Sequence, residues 1–336
     1  MKKISRRAFV RSSMGAVVGA VTIGRPGSGA GKGRFLSPES VGRFELGLAS
    51  YTFREFDLDA TLAMAGRLGL ARIAIKDVHL PLGSSETEIR AAAARVKAAG
   101  LVPYACGVVY MTSEAEVERA FAYARAGGME VIIGVPGHEL LGRVERKVRE
   151  TGIKLAVHNH GPGDLLYPTP ASILDKVKSL DPRVGVCLDI GHCQRSGIDP
   201  SEAAVACGAR LLDVHLKDVT APTKDGGPVK GRAFGSPLAR DLYPRASTAE
   251  VDPQALQSSG AKRMRAGKPG DLVAVEAGRG VIDLPRFLRT LAAMDYRGTA
   301  AFEYEKDGRD PLPGLAESVG YVRGILAAQK KQGERS

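Results

Sequence analysis

Beyond Phe44 the chain alternates short apolar runs with longer segments that carry one apolar face. The apolar runs, read as strands, are Leu46 to Ser50, Ala71 to Lys76, Val102 to Gly107, Glu130 to Val135, Lys154 to His158, Val184 to Asp189, Leu211 to Leu216 and Thr299 to Glu303. Between them lie helical patterns over Leu58 to Leu68, Glu86 to Ala99, Glu114 to Ala126, Glu139 to Glu150, Ile173 to Leu180, Pro200 to Cys207 and Leu284 to Met294, and Leu315 to Gln329 follows the last. Strand and helix in strict alternation imply parallel βαβ units, and eight such units close into a barrel. The predicted fold is therefore α/β, a single-domain (β/α)8 TIM barrel over residues 44–330. Punctuation agrees with it. Gly69, Gly100, Gly152 and Gly208 stand where helices should stop. Asp199-Pro200 and Asp283-Leu284-Pro285 read as helix starts, with an Asp cap and an early proline.

Two stretches break the pattern. Asp218 to Gly270 is rich in Gly, Pro and basic residues, and a connection that long inside a compact domain is usually functional or disordered. Because it follows a strand it is expected over the barrel's C-terminal face, as a lid or an interface element. The other is the N-terminus, where Lys2, Lys3, Ser5, Arg6, Arg7, Ala8, Phe9 and Val10 precede a weakly apolar run from Met14 to Ile23 and then small residues. That order is the one of a secretory signal. The Ser-Arg-Arg-Ala-Phe-Val core resembles a twin-arginine signal, so residues 1–34 are expected to be a leader and linker and the mature protein periplasmic or secreted, which cell fractionation checks. The apolar run is too short for a bilayer span, which needs about 20 residues, and no stable membrane anchor is expected.

Charge changes little once the leader is set aside. The formal net charge is +11, but eight of the 48 basic residues precede the first acidic one, Glu39. The other 40 face 37 acidic residues, a near balance that argues against a nucleic-acid partner. Four cysteines, Cys106, Cys187, Cys193 and Cys207, make no disulfide framework in 336 residues and lack zinc-site spacing; a Cys193 to Cys207 bridge is compatible with export.

The chemistry gathers at the C-terminal ends of the strands, where barrel active sites are built. The fifth predicted strand ends in His158-Asn159-His160, the sixth in Asp189-Ile190-Gly191-His192, the seventh carries His215-Leu216-Lys217-Asp218, and the eighth carries Glu303-Tyr304-Glu305. Four successive strands thus offer His, Asp, His and Glu at corresponding heights. This nitrogen and oxygen set suits one divalent ion, Mn²⁺, Co²⁺, Zn²⁺ or Mg²⁺. His158, Asp189, His215 and Glu303 are the candidate ligands, with His158 and His160 alternatives at the fifth strand. His192, Lys217 and Lys76 are candidate substrate contacts, with His79 beside Lys76 on the opposite wall. Glu276 and Arg279 read as a structural ion pair, and Glu305 as an outer partner of the site or an exposed residue.

At these residues, and at Gly278-Arg-Gly-Val-Ile-Asp with Tyr296-Arg-Gly, the chain resembles the sugar phosphate isomerase/epimerase family. These xylose isomerase-like barrels also include ketose 3-epimerases, inosose dehydratases and apurinic endonucleases. The resemblance covers residues 44–328. It implies metal ligands Glu, Asp, His and Glu from strands five to eight, of which Asp189, His215 and Glu303 match the last three while His158 stands in place of the first Glu. In epimerase members the two glutamates also act as the acid/base pair, so the resemblance assigns proton transfer to Glu303 and, in place of the missing Glu, to His158 or His160. The implied activity is a metal-dependent isomerase or epimerase acting on a free sugar or keto-sugar. The alternatives are a lyase or dehydratase of a keto-inositol or 3-keto-glycoside, and a carbohydrate-binding barrel without turnover. A homo-oligomer is compatible with the sequence.

Overall fold

The structure, a computed structural model, describes residues 44–220 and 272–333. The leader and most of the expected lid lie outside the described residues. Eight parallel strands close into a barrel: β1 (Glu45–Ala49), β2 (Arg72–Ile75), β3 (Val102–Met111), β4 (Val131–Pro136), β5 (Lys154–His158), β6 (Val184–Asp189), β7 (Leu211–Leu216) and β10 (Thr299–Phe302), with β10 between β7 and β1. The predicted strands agree with these to within one residue at each end, except that β3 continues past Gly107 to Met111. A short antiparallel pair, β8 (Asp218–Thr220) with β9 (Val273–Val275), was not anticipated.

The helices are α1 (Leu58–Arg67), α2 (Glu86–Ala98), α3 (Glu114–Gly127), α4 (Leu141–Thr151), α5 (Pro170–Val177), α6 (Ile190–Arg195), α7 (Pro200–Cys207), α8 (Leu284–Ala293) and α9 (Pro311–Gly333). The caps expected at Asp199 and Asp283 form. Asp199 accepts hydrogen bonds from the Ser201 and Glu202 amides, and Asp283 from the Arg286 amide, which satisfies first-turn donors left without intrahelical partners. Gly69, Gly100, Gly152 and Gly208 all have positive φ. Among the described residues no helix is long and apolar enough to cross a membrane.

The apolar residues divide by strand parity. Ile132, Leu155, Val157, Val186 and Leu188 join the large cluster under the helices, whereas Val131, Ile133, Ala156 and Cys187 belong to a second, smaller cluster that fills the barrel. Strand side chains alternate between faces with period two. The inward parity therefore continues upward from Ala156 to His158, from Cys187 to Asp189, from Asp213 to His215 to Lys217, and from Ala301 to Glu303 to Glu305. The barrel's own periodicity aims these groups at one point above its core. All four cysteines are free and buried, so the Cys193 to Cys207 bridge does not form.

Candidate metal centre

The ladder register sets the height of each donor. His158 pairs across from Cys187, Asp189 across from His215, and the Glu303 amide donates to the Leu216 carbonyl (3.1 Å). His158, Asp189, His215 and Glu303 consequently offer donor atoms within 4.8 Å of one another, all buried. His158 Nε2 lies 3.1 Å from His215 Nδ1 and 3.5 Å from Asp189 Oδ2, and His215 Nδ1 lies 3.0 Å from Glu303 Oε2. Donors about 2.0–2.2 Å from one tetrahedral ion stand about 3.4 Å apart, so this spacing fits a single cation. The hydrogen bonding points the same way. Asp189 Oδ2, fully buried, makes no hydrogen bond of good geometry among the described residues and has the Lys217 ammonium 3.0 Å away as its cationic partner, so the carboxylate stays negative where the imidazole lone pairs converge.

The neighbours of Asp189 explain why it is available. Its Oδ1 caps α6 by accepting from the His192 amide (2.8 Å), which leaves Oδ2 for the site. Asn159 fixes the backbone by donating to the Asp189 carbonyl (3.1 Å) and accepting from the Asp189 amide (2.9 Å). Neither Asn159 nor the cap was singled out from sequence, although Asn between two histidines was the visible signal.

Electrostatics follow from burial and from one lysine. Lys217 Nζ stands 2.8 Å from Glu303 Oε2, 3.0 Å from Asp189 Oδ2 and 3.1 Å from Glu305 Oε2, so it is a buried counter-ion and not a solvated loop residue. Burial pushes Asp189 and Glu303 up, but Lys217 and the nearby histidines outweigh it and hold both well below the usual carboxylate range. Burial raises Glu305, its largest influence. It lowers His158, and carries His160 and His192 well below the ordinary imidazole range, so these rings keep a lone pair free. His215 is pushed down by burial but raised overall by Glu303.

The other expected residues divide. The rings of His160 and His192 stand 4.4 Å and 5.9 Å from His158, and the Tyr110 hydroxyl lies 3.1 Å from His160 Nε2, a partner hidden from sequence because β3 runs longer than predicted. Lys76 donates to the Val108 carbonyl (2.7 Å) and pairs with Asp77 (3.0 Å), tying β2 to β3. His79, expected beside Lys76 on the opposite wall, is held by hydrogen bonds inside the protein. It is buried, with Ser50 and Thr61 hydroxyls 2.9 and 3.1 Å from its two nitrogens. The expected Glu276 to Arg279 pair is also corrected: Glu276 pairs with Lys306 and Arg279 with Glu317. Glu305 serves as an outer partner through Lys217.

Asp218 accounts for the Gly278-Arg-Gly motif. Its carboxylate accepts hydrogen bonds from the amides of Gly278 (2.9 Å), Gly280 (3.0 Å) and Ile282 (3.3 Å), pinning that loop to the end of β7. A Cβ at Gly280 would lie 2.0 Å from Asp218 Oδ1, so the close approach requires glycine there.

One layer below the site, Cys187 Sγ donates to Asp213 Oδ1 (3.7 Å), and burial pushes Asp213 up to about 7, partly opposed by His215. An acid whose folded value exceeds its unfolded value favours the fold most below the unfolded value, near 3.8, and loses that contribution as pH rises through about 7. The change amounts to at most about 4 kcal/mol. Asp213→Asn should therefore gain on the wild type by up to that amount between pH 4 and 8 in denaturant unfolding. A constant difference across that range would contradict this.

The sequence profile described as "Xylose isomerase-like TIM barrel" matches residues 49–325. The chain belongs to this family. Solved structures show the same fold: an L-ribulose 3-epimerase has a TM-score of 0.59 at 14% identity, covering 87% of this chain and 97% of that one. A probable 3-DHS dehydratase from Bacillus anthracis gives 0.55 at 14%, covering 84% and 99%. A rhizopine catabolism protein from Rhizobium meliloti is 25% identical over 194 residues, 55% of this chain and 46% of that protein. The chain thus matches about half the length of this curated relative. Xylose isomerase-like barrels are mostly sugar isomerases, epimerases or related enzymes, often with a divalent metal, and this chain offers His158, Asp189, His215 and Glu303 as a set that could hold one.

Proposed function

We propose that the chain is a divalent-metal-dependent isomerase or epimerase of a free sugar or keto-sugar, working in the periplasm after twin-arginine export. The convergence of His158, Asp189, His215 and Glu303 within 4.8 Å carries the reading. When bound, a divalent ion supplies Lewis acidity that polarises a carbonyl and acidifies the neighbouring C–H. The chain's own residues do the rest. Glu303, kept ionised by Lys217 and His215, is one group for proton transfer; His158 or His160, kept unprotonated by burial, is the other. Four rings and three carboxylates on one rigid barrel end hold a polyol without large rearrangement. A leader that delivers the enzyme outside the cytoplasm favours unphosphorylated substrates.

A second reading is a lyase or dehydratase of a keto-inositol or 3-keto-glycoside. It is favoured by Glu305, an additional buried carboxyl whose proton affinity burial raises and which stands beside the site, 3.1 Å from Lys217, as a proton donor to a departing hydroxyl. Incubation of the purified protein with Mn²⁺ and a panel of keto-sugars and 3-keto-glycosides in D₂O separates the readings. Deuterium at an α-carbon without net elimination is the expected outcome. An ultraviolet-absorbing unsaturated product would replace it with the lyase reading, and binding without exchange or product would leave a carbohydrate-binding barrel.

A further inference from the structure

Lys217 touches the same two oxygens that a metal ion would use. Its stem rises from the inward parity of β7, two residues after His215, and its side chain is 3% exposed. Nζ is 3.0 Å from Asp189 Oδ2 and 2.8 Å from Glu303 Oε2, the atoms that also face His158 and His215. A divalent ion about 2.1 Å from both oxygens would stand within about 4 Å of the ammonium, in a buried site where like charges are poorly screened. The two cations therefore compete for one pair of carboxylates. The third contact has a different character, because Glu305 Oε2 (3.1 Å) is outside the four-donor set and offers the ammonium a partner when the others are taken. A cavity of about 10 Å³, lined by Lys217, Glu303 and Glu305 among others, leaves roughly a water's room beside it. A lysine stem of four methylenes can make such a shift.

We propose that Lys217 is a tethered counter-cation of the metal centre, holding Asp189 and Glu303 together when no ion is bound and yielding to the ion by moving onto Glu305. The proposal rests on the metal reading given above. It makes Lys217 a setter of metal affinity, and Glu305 the acceptor that permits loading.

The test is calorimetric titration of the chelator-stripped full chain with Mn²⁺. Lys217→Met should bind at least about tenfold more tightly than wild type, because the competitor is gone. Its metal-free form should melt earlier, with stability restored by Mn²⁺. Glu305→Gln should bind several-fold more weakly. Simple removal of through-space charge would make the two substitutions additive, whereas retreat onto Glu305 requires the lysine. In the Lys217→Met background, Glu305→Gln should thus change affinity by no more than about twofold. Purification with Mn²⁺ present, and Lys217→Gln as a neutral residue that still donates hydrogen bonds, guard against loss of the fold. Equal affinity in wild type and Lys217→Met, or additive effects, would overturn the proposal and leave the metal reading standing. Absence of Mn²⁺ binding in every variant would overturn both.

Discussion

Asp189→Asn and Glu303→Gln should each strip the bound divalent ion and abolish measurable turnover while the barrel still folds. The expected loss of metal affinity exceeds about a hundredfold, since even an outer-partner change around a metal typically costs 10–100-fold. The fold should survive because the donors sit above the barrel's packed interior, not within it. Val131, Ile133, Ala156 and Cys187 fill the space below them. Asn is the informative replacement at 189 because its side-chain oxygen can still accept from the His192 amide, so the cap on α6 persists while the charge goes. Alanine at the same place would also lose that cap, at about 1 kcal/mol, and confuse stability with chemistry. Metal content by elemental analysis, set beside thermal unfolding, checks the expectation. Full occupancy and activity in both variants would sink the proposed site.

Much of this centre was legible because a parallel barrel translates sequence into geometry by simple rules. Strand parity decides which side chains face inward, and the C-terminal end of each strand decides height, so His158, Asp189, His215 and Glu303 could be picked from four separate runs. Where the reading stopped, the cause lies in contacts that no local pattern encodes. The partners of Lys217 depend on how β10 lies against β7, 88 residues apart in sequence at the Lys217 to Glu305 contact. Asp218 reaches amides 60 or more residues away at Gly278 and Gly280. Helix α6 has only six residues, too few for a helical period to show, and it begins within the Asp189-Ile190-Gly191-His192 run. Tyr110 was missed because Gly107 looked like the end of a strand that continues past it. His79 was taken for a wall residue because its partners, Ser50 and Thr61, come from other segments of the chain.

His158 is the position at which this chain departs from the pattern it resembles, and its substitution has the second large expected effect. Its Nε2 lies 3.1 Å from His215 Nδ1 and 3.5 Å from Asp189 Oδ2, inside the donor set, while His160 is turned to Tyr110. That geometry favours His158 as the fourth ligand and His160 as the strand-five group left for proton transfer. His158→Ala should then weaken Mn²⁺ or Co²⁺ binding at least about tenfold and take turnover with it. His160→Ala should leave the ion in place and lower turnover alone. His158→Glu should keep the ion, since a carboxylate also ligates, but move preference from Co²⁺ and Zn²⁺ toward Mn²⁺ and Mg²⁺, because oxygen donors suit the harder ions. Elemental analysis after equilibration with equal mixtures of these ions reads the preference directly. Unchanged metal content in His158→Ala with lost turnover would reverse the two assignments, making His158 the base and leaving three protein ligands on the ion.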